Sequence, residues 1–505
     1  MKASRRNFLR GIAGASLLGA GGCCGFGRGQ KIRLAVVGVM GQGFSNWLPM
    51  LRSGLVEIVA FCDCDRRMQG AAQARLIRVG CDYDLSRVPF YTDYRRLLDD
   101  ASLLGVDAMT VSTTDHTHAP IAIGAMRQGI HVFVETPLVR TLWELDRFRS
   151  TAEEYGVIVQ MGNQDSALDG FRRGVEVLQS GIIGDVTEVH VWTDRPAWPQ
   201  GLKAASCTKG AADPIPDLFN WDCWLATAAN RPYKGAYPQG AKGHDPMNRC
   251  SGVYHPFSWR GFHDFGGGAL GDMGGHGLNL PFRGLELGEI ESAECVFIEE
   301  KNGIAFPRQS TVVLNYPARV ARFGRLRGKT LPAVRLVWYD GSQQPPAELF
   351  PDGKVPAASG CLVRGRYGMV FSATDGDGKC QVAMNGEARF TPVDQRADCT
   401  FEAIPQTIAR YPGDAPGLQS VAVAGNGQRL EFLTAITGSS PVYAETRSRC
   451  YSDIGHSVPL MQGVLAGVVA QRVAGRLAWN GVTRQFDSSE ANELLKPYVR
   501  EGFGF

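Results

Sequence analysis

Three glycines in six residues, Gly38-Val39-Met40-Gly41-Gln42-Gly43, follow directly on the apolar run 31–37. Glycine at these positions lets the backbone turn tightly and approach a pyrophosphate, which rests against the N-terminus of the helix that follows. Asp63 stands twenty residues after Gly43, where a carboxylate hydrogen-bonds a ribose 2′-hydroxyl. That acid favours NAD over NADP, because a 2′-phosphate would meet a carboxylate, while Arg66 and Arg67 nearby keep NADP open. Polar groups recur further on, at Ser112 to His118, at Glu135-Thr136-Pro137 and at Gly162-Asn163-Gln164. A second concentration, His255, Arg260, His263 and Asp264, gathers just before the glycines 266–268, where turns allow close backbone approach.

Such groups act only if strands end beneath them. Residues 31–37, 56–61, 106–110, 131–134 and 157–161 read as buried strands, and 42–53, 120–128 and 142–155 as helices between them. The polar clusters fall at the carboxyl ends of these strands, where open parallel sheets bind ligands. The expectation is a doubly wound dinucleotide-binding domain over residues 31–155, with Gly38, Met40, Gly41, Gln42, Gly43, Asp63, Thr113, Asp115, His118, Glu135 and Gln164 facing the cofactor. Beyond it, 186–192 alternates as a strand, and 195–260 is rich in Pro, Gly and aromatics. Five of the nine tryptophans, Trp192, Trp198, Trp221, Trp224 and Trp259, lie in or just before that stretch. Flat aromatic faces stack on the C–H faces of pyranose rings, so Trp192, Trp259, His255 and Arg260 are candidate substrate contacts. Residues 310–316 and 334–338 alternate as strands, the turns at 340–341 and 375–378 punctuate them as hairpins would, and 429–436 and 453–473 have helical spacing.

The 53 basic and 50 acidic residues are unevenly placed: Lys2, Arg5, Arg6, Arg10 and Arg28 fall in the first thirty positions with no acid among them. The remaining 48 bases face 50 acids, which argues against a nucleic-acid binder, since that needs clustered excess cations. Arg5-Arg6 before the small, apolar run 11–22 reads as a twin-arginine export signal over residues 1–30, so a periplasmic or otherwise exported destination is expected. The run is too short to span a bilayer, which takes about 20 residues. Cys23 after Ala20-Gly21-Gly22 fits plain cleavage or a lipid anchor equally. The thirteen cysteines show no zinc-finger spacing and read mainly as small buried hydrophobes, with one or two disulfides an option in an oxidising compartment. His116, His118, His263, Asp272 and His276 offer metal donors but lack a recognised spacing, so no metal is expected.

Taken together, the glycine turn, Asp63, Asp115-His116-Thr117-His118, Glu135-Thr136-Pro137 and the run Gly268 to His276 resemble the Gfo/Idh/MocA oxidoreductases. The likeness is greatest to the exported, twin-arginine branch, through Val191 to Gly201, Trp221 to Leu225, Tyr254 to Gly261 and the tail Glu490 to Leu495. The resemblance implies a Rossmann domain followed, over residues 156–505, by an α/β domain with a large open, mostly antiparallel sheet for substrate binding and oligomerisation. It implies a sugar, polyol or glycoside substrate between the two, and a homo-oligomer. Family members use a lysine in Glu-Lys-Pro, an aspartate and a histidine; the last two carry over to Asp272 and His276, and the lysine position is Thr136. Threonine keeps a hydroxyl but neither charge nor titration near neutral pH. The resemblance then leaves proton removal to His276, steadied by Asp272 four residues earlier on the same helical face. An exported enzyme meets little free NAD, so a tightly held, recycled cofactor is expected. The related NAD-dependent glycosidases lack that lysine and use NAD transiently, which makes a redox-neutral glycoside hydrolase working through C3 oxidation the alternative.

Overall fold

The computed structural model describes residues 31–235, 252–373, 379–410, 427–438 and 450–505. The arginine pair, Cys23 and the turn at 375–378 lie outside the described residues.

The first sheet has six parallel strands: β1 (Ile32–Val37), β2 (Val56–Cys62), β3 (Phe90–Tyr91), β4 (Ala108–Val111), β5 (His131–Glu135) and β6 (Val159–Gly162), in the spatial order 3-2-1-4-5-6. These strands are nearly continuous apolar runs because helices cover both faces. Their register aligns the ends that matter. Val37 pairs with Cys62 on one side and Val111 on the other, Val111 with Val134, and Val134 with Met161. The residues just beyond this row, Gly38, Asp63, Ser112, Glu135 and Gly162, therefore form one lip. Strand order reverses between β1 and β4, so the crevice of a doubly wound sheet opens at the glycine turn.

The second sheet has ten strands, in the order Thr391–Pro392, Cys380–Met384, Gly368–Ala373, Gly360–Gly365, Val186–Trp192, Val334–Asp340, Gln309–Tyr316, Ser292–Glu299, Arg476–Asn480 and Gln485–Phe486. Only Val186–Trp192 against Val334–Asp340 runs parallel; the other pairs are antiparallel. A parallel Rossmann sheet followed by a large, mostly antiparallel one is the α/β architecture expected from the sequence. Helix Ile454–Ala470, apolar almost all round, is buried between the sheets against helix Leu142–Tyr155 and strands Ser292–Glu299 and Gln309–Tyr316. Its start and stop fall within three residues of the limits read from periodicity.

A separate aromatic core, including Phe219, Trp221, Trp224, Tyr254, Trp259 and Phe265, holds together the described residues of 204–235 and 252–265. This segment is hydrogen-bonded to the loop after β2: Arg66 N donates to Leu218 O (2.9 Å), and Asn220 N to Cys64 O (2.8 Å). The ten described cysteines are all free thiols. Among the described residues no helix is long and apolar enough to cross a membrane.

Candidate active site

The lip of the first sheet, the aromatic segment and helix Gly268–Gly277 enclose a cleft of about 710 Å³. Its glycine turn is shaped by close approach. A Cβ on Gly38 would lie 2.3 Å from Ser112 O, and one on Gly43 would lie 1.9 Å from Gly38 O. Gly41, at φ +62°, caps helix Gln42–Arg52, and a Cβ there would have no protein atom within 4 Å. Backbone is thus exposed to an open cradle at a helix N-terminus, the arrangement a pyrophosphate requires. Asp63 is tied to the same turn, its Oδ2 accepting from Val39 N (3.0 Å) and its Oδ1 from Asp65 N (3.1 Å). Burial pushes its carboxyl above the usual range, and those two amides pull it back. The residues present fit a dinucleotide.

At the other side of the crevice, Glu135 Oε1 accepts from Asn46 Nδ2 (2.6 Å), Gln164 Nε2 (2.8 Å) and Gln42 Nε2 (3.4 Å). Gln42, Glu135 and Gln164, singled out separately in the sequence, thus meet on one oxygen. Asn46, which no motif marked, joins them and is itself held by Arg429 Nε (3.0 Å). His118 spans the loops after β4 and β5, with Nδ1 2.8 Å from Pro137 O and Nε2 3.2 Å from Thr113 O. Burial lowers its pKa to about 4. The neutral ring therefore has one N–H to give to one of these two carbonyls. His116 is buried between Trp224 and Phe265, and burial lowers it to about 3. Thr113 Oγ1 lies 2.6 Å from Thr117 Oγ1.

Helix Gly268–Gly277 reaches this lip because it is almost bare on one side. A Cβ on Gly275 would lie 2.0 Å from Thr136 Oγ1, and one on Gly274 would lie 2.8 Å from Val464. The helix thereby presents Asp272 and His276, one turn apart, to the cleft that Thr136 also lines. The expected pairing of these two residues is corrected by the geometry. The Asp272 carboxylate accepts from Arg260 Nε at 2.6 Å, and among the described residues no hydrogen bond joins it to His276. Arg260 is fixed further by the Trp259 and Phe257 rings, each 4.3 Å from its guanidinium carbon. Asp115 faces the same group. Burial raises its carboxyl well above the ordinary range, Arg260 draws it down and Asp272 pushes it up.

Of the candidate substrate contacts, His255, Trp259 and Arg260 line the cleft. His255 Nε2 lies 3.6 Å from Asp65 Oδ2, and its ring stacks 4.8 Å from Phe219. Asp65, with a fully buried side chain, also receives Arg67 Nε at 2.7 Å, and sequence spacing gave no hint of this role. Trp192 does not line the cleft. It is 1% exposed in a separate cluster with Phe350, Leu362 and Phe371, and its Nε1 donates to Ala357 O (2.9 Å). Period two along its strand sends Val189 and Val191 into the main core and Trp192 to the opposite face. Trp224 and Phe257 line the cleft instead, and Gly43 stands behind the turn without lining it. No group of three metal-ligating side chains occurs among the described residues.

A doubly wound domain with a phosphate cradle at its switch point, facing a second, mostly antiparallel sheet, defines a dinucleotide-dependent two-sheet α/β protein. Residues 32–163 match the family model described as "Oxidoreductase family, NAD-binding Rossmann fold". Over these residues the chain is similar to the Gfo/Idh/MocA oxidoreductases, whose matching part is an NAD-binding Rossmann fold. It is 32% identical over 157 residues to a glycosyl hydrolase family 109 protein of Akkermansia muciniphila, covering 31% of this chain and 32% of that one. It is also 28% identical over 161 residues to an inositol 2-dehydrogenase of Salmonella typhimurium, covering 32% and 44% respectively. The chain thus spans between a third and a half of the length of these curated relatives. Among solved structures, the inositol dehydrogenase homologue of Azotobacter vinelandii complexed with NADH and myo-inositol aligns with a TM-score of 0.55 at 18% identity. That alignment covers 89% of this chain and 98% of the other. It extends the common fold to the second sheet.

Proposed function

We propose that the protein is an exported NAD-dependent oxidoreductase of a sugar, polyol or glycoside, working as a homo-oligomer with its cofactor tightly held. The observation that carries this reading is the convergence, in one cleft, of the glycine cradle with His276, Thr136 and the Asp272–Arg260 pair. NAD, when bound, exchanges hydride with the carbon that carries the reacting hydroxyl. His276 takes the hydroxyl proton on a ring nitrogen as that bond polarises. Arg260, clamped by Asp272 and stacked on Trp259 and Phe257, presents a fixed positive charge to substrate oxygens. Trp259 and Phe257 also supply apolar faces for a ring. The export reading rests on Arg5-Arg6 and the apolar run behind them.

One observation favours a second reading. Among the residues lining the cleft there is no lysine, and the hydroxyl of Thr136 stands at the end of β5. A site without a titrating ammonium suits transient oxidation within a redox-neutral glycoside hydrolase, and several relatives matched over part of their length carry a glycosyl hydrolase family 109 name. Incubation with free sugars, polyols and aryl glycosides, following NADH absorbance and aglycone release together, separates the two. NADH change with a free sugar or polyol supports the dehydrogenase; aglycone release without net NADH supports the hydrolase. Absence of both across the panel overturns both. In a dehydrogenase Thr136→Lys should raise turnover, and a gain of glycoside hydrolysis in that variant would contradict the assignment of Thr136.

A further inference from the structure

Behind the loop that carries Thr136 lies a second, smaller pocket of about 150 Å³, bounded by Arg140, His263, Asp264, Arg472 and Lys496. Its lining holds three cationic side chains, Arg140, Arg472 and Lys496, beside two carboxylates, Asp264 and Glu493. Asp264 is taken by Arg231. Glu144, near Arg140, spends one oxygen capping its helix, accepting from the backbone N–H groups of Arg140 and Thr141 (2.9 Å each). Glu493 sits exposed at the rim. Arg472 has no ion-pair partner within 4.0 Å among the described residues, and the Arg140 charge acts on it. Burial and that like charge both hold the Arg472 guanidinium below its ordinary range, with Asp264 opposing.

Two further buried atoms on residues of its lining lack a partner. His263 is more than nine-tenths buried, its ring bonds to the Gly303 backbone, and its Nδ1 has no partner. Arg140 spends NH1 on His263 O (2.8 Å), while its buried Nε has no partner. Burial and Arg472 lower His263 to about 3, so it adds no positive charge to the pocket. Two guanidinium groups and a rim ammonium around one small cavity form a site for a compact oxyanion.

We propose that this pocket binds a small oxyanion of the phosphate class, held by Arg472 and Arg140 with Lys496 at its rim. Because Arg140 joins the loop after β5 to the His263 loop, the bound anion braces the two segments that carry Thr136 and lead into helix Gly268–Gly277.

The test uses the full chain saturated with NAD, so that the glycine cradle is already filled, titrated calorimetrically with inorganic phosphate against sodium chloride of equal ionic strength. One saturable site is expected, with a rise in Tm of about 2 °C over chloride at saturation. Arg472→Gln should weaken binding about tenfold or more, and Lys496→Gln, at an exposed position, a few-fold, both with unchanged NAD affinity. Glycerol phosphate forms a second arm: tighter binding than phosphate identifies the anion as the head of a larger molecule, and weaker binding identifies it as the free ion. The proposal is overturned if phosphate acts no differently from chloride, or if NAD abolishes its binding. It is equally overturned if Lys496→Gln, or Arg472→Gln where that variant folds, leaves phosphate affinity unaltered.

Discussion

Gly43→Ala should abolish most dinucleotide affinity without adding any group to the cradle itself. The new Cβ would lie 1.9 Å from Gly38 O and 2.8 Å from Gly38 C. Ordinary contact begins near 3.4 Å, so turn and helix must separate by more than an ångström. The turn has nowhere to retreat, because Gly38 is itself 2.3 Å, measured at its missing Cβ, from the Ser112 carbonyl. Overpacking of this kind costs about 1–3 kcal/mol, or roughly 5- to 150-fold in affinity if the strain is relieved by reshaping the cradle. Gly41→Ala is the counterpart. It meets no protein atom, but its backbone at φ 62°, ψ −125° is a conformation kept for glycine and costs about 1–3 kcal/mol with a Cβ, and its methyl occupies the cradle. Calorimetric NAD titration with a thermal melt follows both variants, and each should lower Tm and affinity. Retention of wild-type NAD affinity within twofold in Gly43→Ala would refute the close-approach argument, whatever its Tm.

Three other perturbations address the cleft. His276→Asn should reduce kcat by about 100- to 10,000-fold while leaving NAD affinity unchanged, read by single-turnover kinetics beside a binding titration. Arg260→Met removes the charge-assisted bond to Asp272 and should lower kcat/KM by about 10- to 100-fold. Asp115 then loses the pull that opposes its burial and should titrate higher still, visible as a shifted limb of the pH–rate profile. Asp65→Asn tests a pH dependence. Burial alone would raise this acid, but His255 and Arg67 outweigh it and hold its pKa at about 2. A depressed acid stabilises the fold above its unfolded pKa and loses that contribution as pH falls from about 4 towards 2. The variant should therefore be less stable by about 1–2 kcal/mol at pH 7, allowing for solvent around the exposed Arg67, with the deficit shrinking below pH 4 in denaturant melts.

The cofactor half was legible because its chemistry constrains consecutive residues. A strand, a turn that tolerates no Cβ, a helix and an acid at the next strand's end must follow in order, and each leaves a local mark from Ile32 to Asp63. Helix Leu142–Tyr155 was legible for a similar reason, its limits set by a Thr141–Glu144 capping box and a left-handed Gly156. The cleft's opposite wall was less so. Spacing joined Asp272 to His276, whereas the carboxylate chose a guanidinium twelve residues away that only tertiary folding brings near. Trp192 illustrates a different limit: composition identifies an aromatic, but the face of the strand decides whether it meets substrate or Phe371. Asp65 and Asn46 could not be found from motifs, since both act through partners distant in the chain, His255 and Glu135.

The attachment of the aromatic segment to the loop after β2 ties two recognition events together. Leu218, Phe219 and Asn220 bond to Arg66, Asp65 and Cys64, the residues that immediately follow Asp63. His255, on the same aromatic segment, leans on Asp65. Any ligand that shifts Trp259 or His255 therefore moves the carboxylate beside the ribose position through a handful of backbone bonds. Such coupling is reciprocal by thermodynamic necessity: if filling the cleft tightens the grip on the dinucleotide, the dinucleotide tightens the grip on what fills the cleft by the same factor. The cofactor is then hardest to lose while substrate is in place.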